Sequence, residues 1–332
     1  MAFGSTQNCK VIGIFCLANS KLEHLEVCSS SVKSNIPIPL LRKTTSTSSK
    51  QVQPEDFPNL SLVIDEFQVT VSYEKISWSS TWSNVKVNHN KIENKSEISV
   101  DEIAVNDDKG NVVIHEFKWN RRNQAAILAT WSHISVQSSV ETLDSINFVR
   151  MKYFDMYQGT FKRRYMEDTT LIIEISGGTF ESTLSNVALH VQQIISKVGQ
   201  LEQGGNNFYL DNFHLDFDKE QNEVAGTVAN IGMALCEESL SIVFEWCSSF
   251  LSMKQNNSSS SSSKFNSVKW GLRSQSIQVD FTLENNLSCQ LVVESSKSKG
   301  QGSLKGIGCK GLSLVLKEPS DSEEISIIAV SF

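Results

Sequence analysis

Apolar and polar residues alternate with a period of two along most of this chain. The clearest stretch sets Ile277, Val279, Phe281 and Leu283 against Gln278, Asp280, Thr282 and Glu284. Leu287, Cys289, Leu291 and Val293 resume the pattern after Asn285-Asn286, and Phe213, Leu215 and Phe217 alternate with His214, Asp216 and Asp218. Ile98 and Val100, then Leu171, Ile173 and Ile175, then Leu312, Leu314 and Leu316, follow the same rule. Val113, Phe117 and Trp119 share one parity, against Glu116 and Lys118. Successive side chains of a strand point to opposite faces, so this period predicts strands with one apolar and one wet face. Two strands change phase midway. Leu60, Leu62 and Ile64 give way to Phe67, Val69, Val71 and Tyr73 across Asp65-Glu66, and Ile127, Ala129 and Trp131 give way to Ile134 and Val136. Each slip predicts a bulge or a bend.

Two segments read differently. Leu184, Val187, Ala188, Val191, Ile194, Ile195 and Val198 fit the i, i+3, i+4, i+7 rule, which predicts a helix near 184–201 that Gly204-Gly205 would stop. Leu240, Val243, Phe244, Cys247, Phe250 and Leu251 predict a second one near 240–253. Asp108-Lys109-Gly110, Gly177-Gly178 and Gly204-Gly205 read as turns. The organisation that follows has leading strands over 1–28 and a flexible Ser/Thr/Pro loop over 29–58. A strand-rich segment over 59–255 carries both helices. A serine tract over 256–264 has nothing to bury, and further strands fill 265–332.

Proline supports this reading. The five prolines are Pro37, Pro39, Pro54, Pro58 and Pro319, so none falls between Asn59 and Glu318. Hydrogen-bonded ladders exclude proline because it has no N–H to donate. The strands number about fourteen to sixteen on the period-two count, and short connections favour antiparallel pairing. A small sandwich uses about seven to nine strands. Two tandem sandwiches, a wide barrel, or one long curved open sheet would each accommodate the rest. In the open sheet the apolar face lacks a cover, and exposure costs roughly 25 cal/mol per Å². That face calls for a ligand with apolar surface, and acyl chains match it.

The remaining chemistry is sparse. The formal net charge of −7 argues against a general nucleic-acid partner. No apolar run is long enough for a membrane-spanning helix. Val11–Ala18 is at the short limit for a signal-peptide core, without a convincing cleavage site. The seven cysteines form no CxxC pair, which reads as reduced, mostly buried thiols in a reducing compartment. His24, His89, His115, His133, His190 and His214 show no metal-ligand spacing, so neither metal nor cofactor is expected. Nucleophile elbows, Walker loops and dinucleotide fingerprints are absent, so an enzyme is not expected. Asp211, Asp216 and Asp218 read as a solvated strand face. Arg121-Arg122 and Lys162-Arg163-Arg164, the latter among tyrosines and phenylalanines, are candidates for contact with anionic headgroups.

The stretches Asn207–Val228 (NFYLDNFHLDFDKEQNEVAGTV) and Leu60–Ile76 (LSLVIDEFQVTVSYEKI) resemble the interior of bridge-like lipid transfer proteins. This repeating-β-groove group includes chorein-type proteins and the tweek and hobbit proteins. The likeness covers residues 59–332 and lies in pattern, not in a motif. It implies a mostly β, antiparallel, meandering sheet forming an open hydrophobic groove. Phospholipids would slide along that groove between apposed membranes, with the protein peripheral and cytoplasmic at contact sites. Without a chorein-type N-terminal helix or an N-terminal anchor, the chain would be an internal piece, a truncated isoform or a partial gene product. The groove lining would comprise Phe67, Val69, Val71, Phe213, Leu215, Phe217, Ile277, Val279, Phe281 and Leu283. The alternative is a structural or adhesion-type β-sandwich whose apolar faces cover each other.

Overall fold

The structure is a computed structural model, and it describes residues 3–16, 21–37, 58–73, 76–106, 110–122, 126–139, 170–199, 206–236, 268–282, 288–301, 303–317 and 324–330. Among these residues every regular element is a strand. The chain divides into two compact units. The first unit holds β1 (Phe3–Gln7), β2 (Lys10–Cys16), β3 (Lys21–Pro37), β4 (Asn59–Tyr73), β5 (Ile76–Asn90), β6 (Lys95–Asn106), β7 (Gly110–Arg122) and most of β8 (Ala126–Ser139). The second holds β10 (Asn186–Gly199), β11 (Asn206–Asp218), β12 (Glu223–Cys236), β13 (Lys269–Thr282), β14 (Ser288–Gln301), β15 (Ser303–Lys317) and β16 (Glu324–Val330). The remaining strand, β9 (Thr170–Ser182), straddles the division, with residues 170–178 in the second unit.

Each unit is an open sheet. In the first unit the hydrogen-bonded order is β1-β3-β4-β5-β6-β7-β8, with β2 also on β3; in the second, β10 to β16 follow chain order. In neither does the last strand return to pair with the first. Among the strand pairs whose register is described, pairing is antiparallel except between β3 and β4 and between β12 and β13. Parallel neighbours need a connection that returns to the starting edge. The end of β3 and the start of β4 therefore lie at opposite ends of two neighbouring strands, as do the end of β12 and the start of β13. The hairpins turn tightly. Asn90 Oδ1 accepts the N–H groups of Ile92 (3.0 Å) and Glu93 (3.2 Å), and Asp218 Oδ1 accepts those of Glu220 and Gln221 (both 2.9 Å). Both turns end on an asparagine with positive φ, Asn94 and Asn222.

The phase slip expected within β4 is present and recurs in other strands. Between β4 and β5 the register runs Ile64↔Val85, then Glu66↔Ser83, and the intervening pair at 65 and 84 is skipped. Equivalent interruptions fall at 101 and 116 between β6 and β7, at 192 and 212 between β10 and β11, and at 294 and 311 between β14 and β15. Because both partners slip together, the register is unchanged on either side. The two short strands β1 and β2 are interrupted on the same line, pairing with β3 as Gln7↔Ser31 and then Lys10↔Cys28. Residues with positive φ occupy the line in each unit: Asn8, Asn84 and Glu116 in the first, and Gly177, Asn212 and Gly311 in the second. A left-handed residue reverses the alternation locally, so two successive polar residues lie on one side and the apolar series resumes on its original face. Asparagine and glycine tolerate this conformation; glutamate does not. Glu116→Asn is accordingly expected to stabilise the protein by about 1 kcal/mol, read as a shift in urea midpoint. A lower midpoint for this variant would contradict the strain argument.

Several expectations need correction. The segment near 184–201 is the strand β10 and not a helix. A slipped strand places apolar residues at 187, 191, 194 and 198, and those spacings of four, three and four imitate a helical stripe. Five of the expected residues, Val187, Val191, Ile194, Ile195 and Val198, are β-branched, which favours the strand. Residues 29–37 of the expected loop over 29–58 are strand, because β3 continues to Pro37, and 38–57 lie outside the described residues. Ser29, Ser30, Ser31 and Ser34 are strand residues, and Ser29 and Ser31 are buried. Gly177-Gly178 lies inside β9 and is not a turn. Val113 pairs with Ala104, on the face opposite Phe117, because the slip at 115–116 intervenes. The helix near 240–253 and the serine tract over 256–264 lie outside the described residues.

Candidate functional site

Directly paired residues in neighbouring strands share a face, so the registers assign every side chain to one of two surfaces. In the second unit one row runs Ile194–Leu210–Ile231–Ile277–Val293–Leu312 across six strands. The next is Ser196–Phe208–Met233–Val279–Leu291–Leu314. Beyond the slip line lie the pair Val191–Phe213 and the row Leu189–Leu215–Gly226–Leu272 on the same surface. The first unit repeats this with Val27–Leu62–Val87–Ile98–Trp119 and Val32–Phe67–Trp82–Ile103–Ile114. Its core shows that both halves of each strand face one way. Ile64, Val85, Val100 and Ile103 are buried together, and Leu62, Phe67, Trp82, Ile98 and Phe117 pack around them from both sides of the slip line. Phe67 and Trp82 meet edge to face, with ring centroids 6.0 Å apart. The Trp82 indole N–H donates to Ser80 Oγ at 2.6 Å, which satisfies its polar atom.

The opposite surface is polar and internally paired. In the first unit Ser31–Glu66–Ser83–Glu102–His115 forms one row. Lys33 reaches Glu66 at 3.8 Å, and His115 reaches Glu102 at 3.5 Å. Asn84 donates to Asp101 Oδ2 at 2.8 Å. In the second unit Gln193 donates to Asp211 Oδ1 at 2.9 Å, and Gln278 and Gln290 both donate to Asp280, at 2.8 and 2.7 Å.

The expected lining residues fall on the apolar surface. Phe67, Val69 and Val71 project from β4 in the first unit, opposite Trp82, Ser80 and Trp78. Phe213, Leu215 and Phe217 lie on one side of the slip line in the second unit, and Ile277, Val279 and Phe281 lie on the other. All nine are half-buried. Leu283 is outside the described residues. Phe208, Leu210, Ile231 and Met233 belong to the same surface and were missed. The signal was present, since β12 reads Val224, Val228, Ile231, Met233 and Leu235 once a slip at 229–230 is allowed.

The three aspartates have structural partners: Asp211 binds Gln193, Asp216 binds His214 at 2.6 Å, and Asp218 holds its turn. His190, expected on a helix, pairs with His214 across β10 and β11, with ring centroids 6.0 Å apart. Cys9 is exposed, and Cys28, Cys289 and Cys309 are half-buried, so the described thiols are free but not buried as expected. Arg121 and Arg122 end β7 in solvent, and Lys162-Arg163-Arg164 lie outside the described residues. Among the described residues no cluster of three His, Cys, Asp or Glu could hold a metal, and no helix is long and apolar enough to cross a membrane. Comparison with protein-family models, with curated proteins and with solved structures finds no match for this chain.

Proposed function

We propose that the chain is a segment of a bridge-like lipid transfer protein whose apolar face forms a hydrophobic groove conducting glycerophospholipids between apposed membranes. The carrying observation is the set of apolar rows described above. They run along the direction in which strands stack, so each added strand lengthens the path. Six strands at about 4.8 Å spacing give roughly 24 Å of uninterrupted apolar surface. Among the described hydrophobic residues only Ile64, Val85, Val100, Ile103, Leu171, Val191 and Val228 are buried. A closed sandwich would bury most of one face of each sheet. Half-exposed Leu210, Ile231, Ile277 and Val293 instead favour an occupant, since covering such a side chain fully is worth up to about 1.5–3 kcal/mol.

The mechanism requires burial alone. Acyl chains displace water from the apolar face, while headgroups stay in solvent at the open edge. Movement along the face breaks no bond and passes no fixed charge. On this reading the protein is peripheral and cytoplasmic at membrane contact sites, belongs to a longer chain, and needs neither cofactor nor catalytic group. Native mass spectrometry of protein purified from cells in mild detergent tests it. The expected result is co-purifying phospholipid, of several headgroup types. A spectrum of bare protein sinks the reading.

A further inference from the structure

The polar surface of the second unit brings cations together. One row crosses it as His190–His214–Thr227–Arg273–Lys297–Gly308. Arg273 and Lys297 are therefore directly opposite each other, a like-charge cross-strand pair that destabilises a sheet. Lys310, opposite Ser295, brings a third cation one step away on the next strand. Among the described residues none of the three has a carboxylate within ion-pair distance, whereas Lys33 and Lys95 in the first unit each have one. The chain is acidic overall, so general basicity does not explain the cluster. All three cations, both imidazoles and Thr227 border one depression of about 1140 Å³. Asp216, which holds His214, orients that ring beside the row.

We propose that this depression is a binding site for a clustered phosphate ligand, either a soluble polyphosphate or the phosphorylated headgroup of a membrane lipid. Arg273 offers a planar fork of donors that matches a phosphate edge, and Lys297 and Lys310 supply two point charges beside it. Thr227, Ser295 and the histidines add further donors. A multivalent anion relieves the repulsion between Arg273 and Lys297, which no carboxylate among the described residues does. The site lies on the face opposite the apolar rows, so it does not depend on lipid conduction and its failure leaves that reading intact.

The test uses the full chain and inorganic pyrophosphate. Calorimetric titration is expected to show saturable binding, with affinity about tenfold or more lower in Arg273→Gln/Lys297→Gln/Lys310→Gln. The control Lys33→Gln/Lys86→Gln/Lys118→Gln carries the same charge change in the first unit and should bind as the parent does. Without ligand, Lys297→Gln alone is expected to raise the melting temperature. Pyrophosphate should raise it in the parent and leave the triple site variant unchanged. Sedimentation with phosphatidylcholine vesicles, with and without phosphatidylinositol bisphosphate, separates the two sources. Co-sedimentation with the phosphorylated lipid that pyrophosphate competes away assigns a headgroup; pyrophosphate binding without co-sedimentation assigns a soluble anion. Absence of saturable pyrophosphate binding overturns the site, as does an equal loss in the control variant or undiminished binding in the site variant.

Discussion

Single aspartates on the apolar face are expected to empty it of lipid. Leu215→Asp, Phe217→Asp and Val279→Asp each put a carboxylate where the flanking rows are hydrocarbon: Leu215 between Leu189 and Gly226, Val279 between Met233 and Leu291. In the unoccupied protein these positions are half-exposed, so the charge stays hydrated and the sheet survives. Covering the carboxylate with acyl chains removes that hydration, at a cost of several kcal/mol, on the order of 3 or more. Lipid occupancy should then fall by about a hundredfold, as measured by native mass spectrometry or by uptake of a fluorescent fatty acid. Far-ultraviolet circular dichroism should keep its strand signature. Leu215→Phe, equally apolar, should retain lipid. Unchanged lipid content in all three aspartate variants would count decisively against conduction along this face.

The second large effect concerns the slip line. Gly177→Val and Gly311→Val are expected to lose about 2 kcal/mol of stability each. Both glycines have positive φ, at 48° and 58°, where a Cβ costs about 1–2 kcal/mol. The ends of Gln192 and Glu294 lie over Gly177 and Gly311, but these flexible, exposed side chains can move aside, so the backbone conformation sets most of the cost. Gly271→Ala is the control. Its φ is not in the left-handed region, and a Cβ there meets only Ser298 O at 3.9 Å, so its effect should stay within about 1 kcal/mol. Urea denaturation of the three variants decides the matter. Equal losses at Gly271 and Gly311 would mean that the left-handed backbone at Gly311 is not what the valine violates.

The period-two pattern made most of the strands legible, because a strand with one wet face must alternate. The apolar surface was legible for the same reason, and Phe67, Val69, Val71, Phe213, Leu215, Phe217, Ile277, Val279 and Phe281 all fall on it. Where the phase slips, local pattern becomes ambiguous. In β10 the slip converts Val187, Val191, Ile194 and Val198 into the spacing of a helix, and only pairing with β11 resolves it. At Gly177-Gly178, glycine signalled a break in regular backbone, but sequence could not distinguish a turn from a bend within a strand.

The sequence by itself determined that this is a two-faced β protein, since alternation and the absence of proline over 59–318 permit little else. Tertiary structure alone decided which strands are neighbours, and that β3–β4 and β12–β13 run parallel. It also aligned the slips into one line in each unit. Register is a relation between strands, so residues far apart in sequence such as His190, Arg273 and Lys297 come to share a row only through hydrogen-bonded pairing.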